Sequence, residues 1–277
     1  MHFNFGFTTI QVLWTLTFAA LLVLLVVLLG RDRAQRYPWF TTWIILIALQ
    51  RLMSKLLFGR MPQLTLAEIF IPLAIVVAIA GLLVLIEIAR SAFRGVERRI
   101  WIGWTLMLAA AAAYVLYAWG PWPDRRTITF DSQLAVLRMM GLVAQKGEML
   151  VGLLAVGLGL PVVLFGRRFK AGWRSHTQQI AIGLSTAAMA QLTVQRVWQT
   201  ILMNAMPKTE AEFERIMGLR EKLFNAYGAL YVAVLVWWIV WLWMDEPGTS
   251  VTAEIPSSVA TYDAPTEAMV VEERENE

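Results

Sequence analysis

Arg51, Lys55, Lys146, Glu148 and Arg196 all fall inside long apolar runs of this sequence. An ionisable side chain near the centre of a bilayer costs roughly 2.5–3.5 kcal/mol on insertion scales, so each must find a partner, water or a ligand. Gln191, Gln195 and Gln199 stand at i, i+4 and i+8 beside Arg196, which places three amides on one helical face. Tyr114, Tyr117, Tyr227 and Tyr231 bring phenols to a similar depth. Guanidinium, ammonium, amide and phenol groups recognise oxyanions and polar headgroups. The chemistry is that of binding.

Catalytic and cofactor chemistry finds little support. There is no cysteine, so thiolate catalysis, disulfides and cysteine-ligated metals are excluded. Histidine occurs only at His2 and His176, which rules out a bis-histidine haem and any His/Glu zinc cluster within a span. The stretch Ala226–Trp243 holds no lysine for a retinal Schiff base. Ser54 and Ser185 have no intramembrane histidine to activate them. No catalytic residue, metal or cofactor is expected. His176 reads as an interfacial residue in a loop beside Trp173 and Arg174.

Such residues need helices to hold them, and the composition supplies those. Of 277 residues 58% are hydrophobic and 16% charged, against roughly 45–50% and 25% in ordinary soluble domains. The mean hydropathy is +0.59. These values exclude a soluble enzyme, a disordered chain and a nucleic-acid binder. They imply an all-α, polytopic membrane protein. Apolar runs predict seven spans at about 9–30, 39–58, 69–89, 101–119, 141–165, 179–203 and 225–243, each long enough to cross roughly 30 Å of hydrocarbon. The first lacks a preceding positive charge and a small-residue cleavage site, so it reads as a retained anchor.

Basic residues orient the bundle. Arg31, Arg33 and Arg36, then Arg90, Arg94, Arg98 and Arg99, then Arg167, Arg168, Lys170 and Arg174 fill the first, third and fifth connections. The opposite connections carry Arg60, then Arg125, Arg126 and Arg138, then Lys208, Arg215, Arg220 and Lys222 over longer stretches. The denser side marks the cytoplasm, so the N-terminus is expected outside and the C-terminus inside. Tryptophans near both boundaries fit interfacial anchoring. Thr209 followed by Glu212 forms a capping-box pattern, so a helix is expected there that runs into the seventh span. Residues 1–244 thus form the membrane domain. Residues 245–277, with nine acids and one base, read as a disordered acidic tail that solubilises or docks a cytoplasmic partner.

On this orientation Arg51, Lys55, Lys146 and Arg196 all lie in the outer half, together with Glu148 and, at the rim, Glu68. Glu87 alone lies in the inner half, where Arg90 and Arg94 at i+3 and i+7 offer local pairing. The implied picture is a wet, positively biased outer cavity above a dry inner half. It suits a small anionic or amphipathic ligand, or a lipid headgroup, in the cell membrane of a bacterium. The competing reading is structural: the bases snorkel or pair with Glu148 and Glu68, and the glutamines fasten helices together. The layout is similar in outline to the seven-span sensory regions of some bacterial signalling proteins, an analogy of layout only. A sensor is therefore the first reading. A transporter, a subunit of a membrane complex and an outer-leaflet lipid enzyme using Glu148 as base are the alternatives.

Overall fold

A capping box starts the first helix. The Thr8 hydroxyl accepts from the Gln11 backbone N–H, and the Gln11 side-chain carbonyl accepts from the Thr8 N–H, both at 3.4 Å. From there α1 runs over Thr9–Gly30. The computed structural model describes residues 8–93, 98–119, 122, 132–165, 175–204 and 209–245, and every regular element among these is α-helical. After α1 come the single turn α2 (Arg33–Arg36), α3 (Pro38–Leu57), α4 (Gln63–Ala92), α5 (Arg98–Ala118), α6 (Gln133–Phe165), α7 (His176–Asn204) and α8 (Glu210–Trp243). The chain divides into Met1–Glu246 and Pro247–Glu277, and the second unit lies outside the described residues. So do Pro121, Pro123, Arg94 and Trp173–Arg174.

Local chemistry sets the helix limits. Asp32 takes the left-handed conformation (φ 52°) between α1 and α2, where a short polar side chain is tolerated. Pro38 opens α3 at a position whose N–H has no intrahelical use. Gly59, at φ 82°, reverses the chain between α3 and α4, a conformation that a Cβ would strain. Thr209 caps α8 by accepting from the Glu212 N–H at 3.3 Å, and the 34-residue helix then continues unbroken to Trp243, about 50 Å. The outer helix expected near 209–217 is therefore the first part of α8.

Around the core, α6 packs on α4 and α7, α8 packs on α1 and α7, and α3 packs on α1 and α4; α5 lies against α6. The centre is closed by fully buried Leu21, Leu24, Phe40, Ile44, Ile88, Ile180, Leu235 and Trp238. Yet the outward side is also apolar: Val26, Leu29, Ile79 and Leu106 are all more than half exposed. A helix apolar on every side is at home in lipid and costly in water. Five described helices are long and apolar enough to cross a membrane: Thr9–Gly30, Pro38–Leu57, Gln63–Ala92, Gln133–Val163 and Glu210–Trp243. Ile102–Ala118 is apolar but shorter. α7 is long enough, but its glutamines and threonines keep it out of that set.

Candidate functional site

The sequence pictured one outer polar cluster. The structure separates it into distinct environments. A cavity of about 360 Å³ lies among α3, α4, α6, α7 and α8. Arg51, Glu148, Gln191, Tyr227 and Tyr231 line it, as do Gln50 and Ser54, while Ile47, Val77, Ala155 and Leu184 supply an apolar wall. Among the described residues neither Arg51 nor Glu148 forms an ion pair. In the same lining the Tyr227 ring stacks on that of Tyr231 at 6.2 Å. One cation and one anion thus share a half-enclosed space.

The other expected site residues sit elsewhere. Lys146 donates to the backbone carbonyls of Leu116 and Trp119, closing the C-terminal end of α5, and its ammonium lies 4.6 Å from the Trp122 ring centroid. Arg196 stacks over the Trp119 ring at 5.2 Å, and the Trp119 indole N–H donates to the Gln199 side-chain carbonyl at 3.0 Å. Trp119 therefore gathers Lys146, Arg196 and Gln199 into a network joining α5, α6 and α7. Half-buried Gln195 is not among the residues lining the cavity. Tyr114 and Tyr117 are 73% and 74% exposed and point away from the bundle interior. Lys55 lies over the Trp14 ring at 5.6 Å. The expected surplus of positive charge is consequently absent from the first cavity, where Arg51 faces Glu148.

A second cavity, about 620 Å³, opens between α1, α3 and α8. Leu13, Trp14 and Phe224 are among its apolar walls, and Arg51, Arg220, Glu221 and Asn225 contribute polar groups. Arg51, Tyr227 and Tyr231 belong to both cavities and form the partition between them. Arg220 rests on the rings of Trp198 and Phe224, at 5.5 and 5.6 Å. Of this lining Arg51, Tyr227 and Tyr231 were among the residues expected from sequence, whereas Arg220, Glu221, Phe224 and Asn225 were not, although a signal was present. Arg220, Phe224, Tyr227 and Tyr231 recur at helical spacing once α8 is extended back to Glu210. Gln50 and Ser54 were likewise legible as an i,i+4 pair beside Arg51.

The end of the bundle that carries α2 departs from the expected dry seal. His176 is the first residue of α7, not a loop residue, and is 1% exposed; its Nε2 donates to the Met244 carbonyl at 2.9 Å. Thr177 shares hydrogen bonds with the Tyr37 and Ser91 hydroxyls, at 2.9 and 3.0 Å. The Gln179 side chain accepts from the Trp237 indole, and its backbone carbonyl accepts from that of Trp238. Asp245, the first residue of the acidic segment expected to be disordered, is held by Arg31 and Arg33 at 3.5 and 3.3 Å. Glu87 does not pair with Arg90: its carboxylate accepts from the backbone N–H groups of Trp39 and Phe40. Glu68 binds the Gln133 amide, not Arg51 or Lys55.

Between this polar end and the first cavity lies a continuous apolar layer. One turn along α7 from Thr177 is Ile180, and the next turn brings Leu184 at the cavity wall. On α3 and α8 the corresponding positions are Phe40 and Ile44, and Trp238 and Leu235, all fully buried. Phe40 meets Trp238 edge to face at 5.2 Å. No family model, curated protein or solved structure matches the chain.

Proposed function

We propose that the protein is a receptor-like, seven-span membrane protein, with α5 and α7 as the two spans beyond the five apolar ones. Its N-terminus is outside, and a small amphipathic ligand enters from the extracytoplasmic side. In this assignment α7 is shielded by its neighbours, which is how a helix carrying five glutamines tolerates the membrane. One observation carries the reading: Arg51 and Glu148 face one cavity with no ion pair to neutralise either among the described residues. An ionisable group on a membrane-spanning helix is costly until it is paired, and a ligand that bridges exposed Arg51 and half-buried Glu148 lowers that cost. The fitting molecule presents an anionic group to Arg51 and a cationic or hydroxyl donor to Glu148, with its apolar body against Ile47, Val77 and Leu184. A volume of about 360 Å³ falls within the range of small-molecule sites, roughly 300–1,000 Å³.

The buried layer of Phe40, Ile44, Ile180, Leu235 and Trp238 supports a receptor over a permease, because it blocks a polar route to the α2 end. Thermal unfolding of the purified full chain, with hydrophobic amino acids and short-chain zwitterionic amphiphiles as probes, tests the reading. At least one zwitterion is expected to raise the Tm of the native chain, with the rise lost in both Arg51→Gln and Glu148→Gln. A rise that survives both substitutions removes this cavity as the site.

A further inference from the structure

The second cavity has a different electrostatic character from the first. Arg51 lies in its wall, Arg220 at its mouth, and Lys55 sits on the ring of its Trp14, against the single carboxylate of Glu221. None of these four groups forms an ion pair among the described residues. Positive charge thus exceeds negative here, between α1 and α8, but Arg220 supplies part of it in place of Lys146 and Arg196. Arg220 is also pre-positioned. Its guanidinium is held on two aromatic faces, Trp198 and Phe224, an arrangement that fixes the side chain while no ion pair engages it among the described residues.

The walls restrict what kind of anion belongs there. Leu13, Trp14 and Phe224 give the cavity an apolar lining, and its volume of about 620 Å³ far exceeds that of an inorganic oxyanion. A free phosphate would leave most of that surface without a partner. An aliphatic chain would cover it and gain roughly 0.8 kcal/mol for each methylene removed from water. Asn225 adds an amide able to donate to a headgroup oxygen.

We propose that the cavity between α1 and α8 is a second site, which binds a single-chain amphiphile with an oxyanion head. Arg51 and Arg220 clamp the head and the Leu13–Trp14–Phe224 wall holds the chain. Arg51 then stands between the two ligands, so that occupancy of one cavity competes for the guanidinium that serves the other. The two sites share Arg51, but the assignment of an amphiphile to this one rests on Arg220 and the Leu13–Trp14–Phe224 wall rather than on the ligand of the first cavity.

Native mass spectrometry of the full chain in a neutral maltoside detergent provides the test. The probes are lysophosphatidylglycerol, lysophosphatidylcholine with the same acyl chain, and inorganic phosphate. The anionic lysolipid is expected to be retained in preference to the zwitterionic one, and phosphate at equal concentration is expected not to displace it. Arg220→Gln should weaken retention about tenfold, the loss of one charge-assisted contact. Glu221→Gln should strengthen it by about threefold, because a like charge is removed from the mouth. Lys146→Met, in the separate Trp119 network, serves as the folded control. Equal retention of the two lysolipids, displacement by phosphate, or the same direction of change in the Arg220 and Glu221 variants would each overturn the proposal.

Discussion

The Glu87 carboxylate of α4 accepts a hydrogen bond from the backbone N–H of Phe40 in α3 at 3.0 Å, and a second from Trp39 at 3.2 Å. An acid on one helix thus serves the open N-terminus of another. The first N–H groups of a helix have no intrahelical acceptor, and the helix dipole favours negative charge there. Phe40 is also the ring that meets Trp238. The contact therefore fixes both the start of α3 and the orientation of the apolar layer.

Removal of this carboxylate is expected to lower stability by about 1–2 kcal/mol in Glu87→Ala, since two backbone donors, of which that of Phe40 is part-buried, lose their acceptor. Glu87→Gln keeps one acceptor oxygen and should lose less than half as much. Thermal unfolding in detergent separates the two variants. Equal stability of Glu87→Ala and the native chain would falsify the capping role.

Gly183 is a point of close backbone approach within the apolar layer. A Cβ built there lies 2.2 Å from the Trp238 indole nitrogen, well inside contact distance. The tryptophan is fully buried and donates to the Gln179 carbonyl, so it has no free direction in which to move. Gly183→Ala is expected to destabilise by about 1–3 kcal/mol through overpacking. Gly183→Ala with Trp238→Phe should recover part of that loss, because the indole nitrogen is removed. Additive losses in the double variant would show that the two sites do not meet.

Lys146→Met tests whether this lysine belongs to the binding site or to the framework. It closes the end of α5 through Leu116 and Trp119 and lies outside the lining of both cavities. Faster amide exchange in the last turn of α5 is expected, with a loss of about 1 kcal/mol, comparable to a helix-end contact. Ligand-induced Tm shifts should persist unchanged. Disappearance of those shifts would return Lys146 to the site.

Orientation is open to a direct experiment, because the chain has no native cysteine. Thr8→Cys and Ser250→Cys place single thiols before α1 and beyond α8. In intact cells a membrane-impermeant maleimide is expected to label the first and to reach the second only after lysis. The opposite pattern reverses the membrane orientation and moves the mouth of the cavities to the cytoplasm.

Much of the framework follows from composition and spacing alone. Apolar runs predict where α1, α3, α4, α6 and α8 lie, because lipid selects for length and hydropathy before any tertiary contact exists. Thr209 with Glu212 marks the start of α8, and Arg51 with Glu148 stands out simply as charge in an apolar run. Rotation about each helix axis is another matter. The turn of α5 that exposes Tyr114 and Tyr117, and that of α7 that gives Arg196 to Trp119 but Gln191 to the cavity, depend on which neighbours close around them. Residue type gives depth along a helix; only packing decides the side it faces. The same holds for Glu87, whose partner lies 47 residues back along the chain, on α3, rather than one turn away at Arg90. Local spacing offered an ion pair, but the neighbouring helix presented two backbone donors that had no other acceptor.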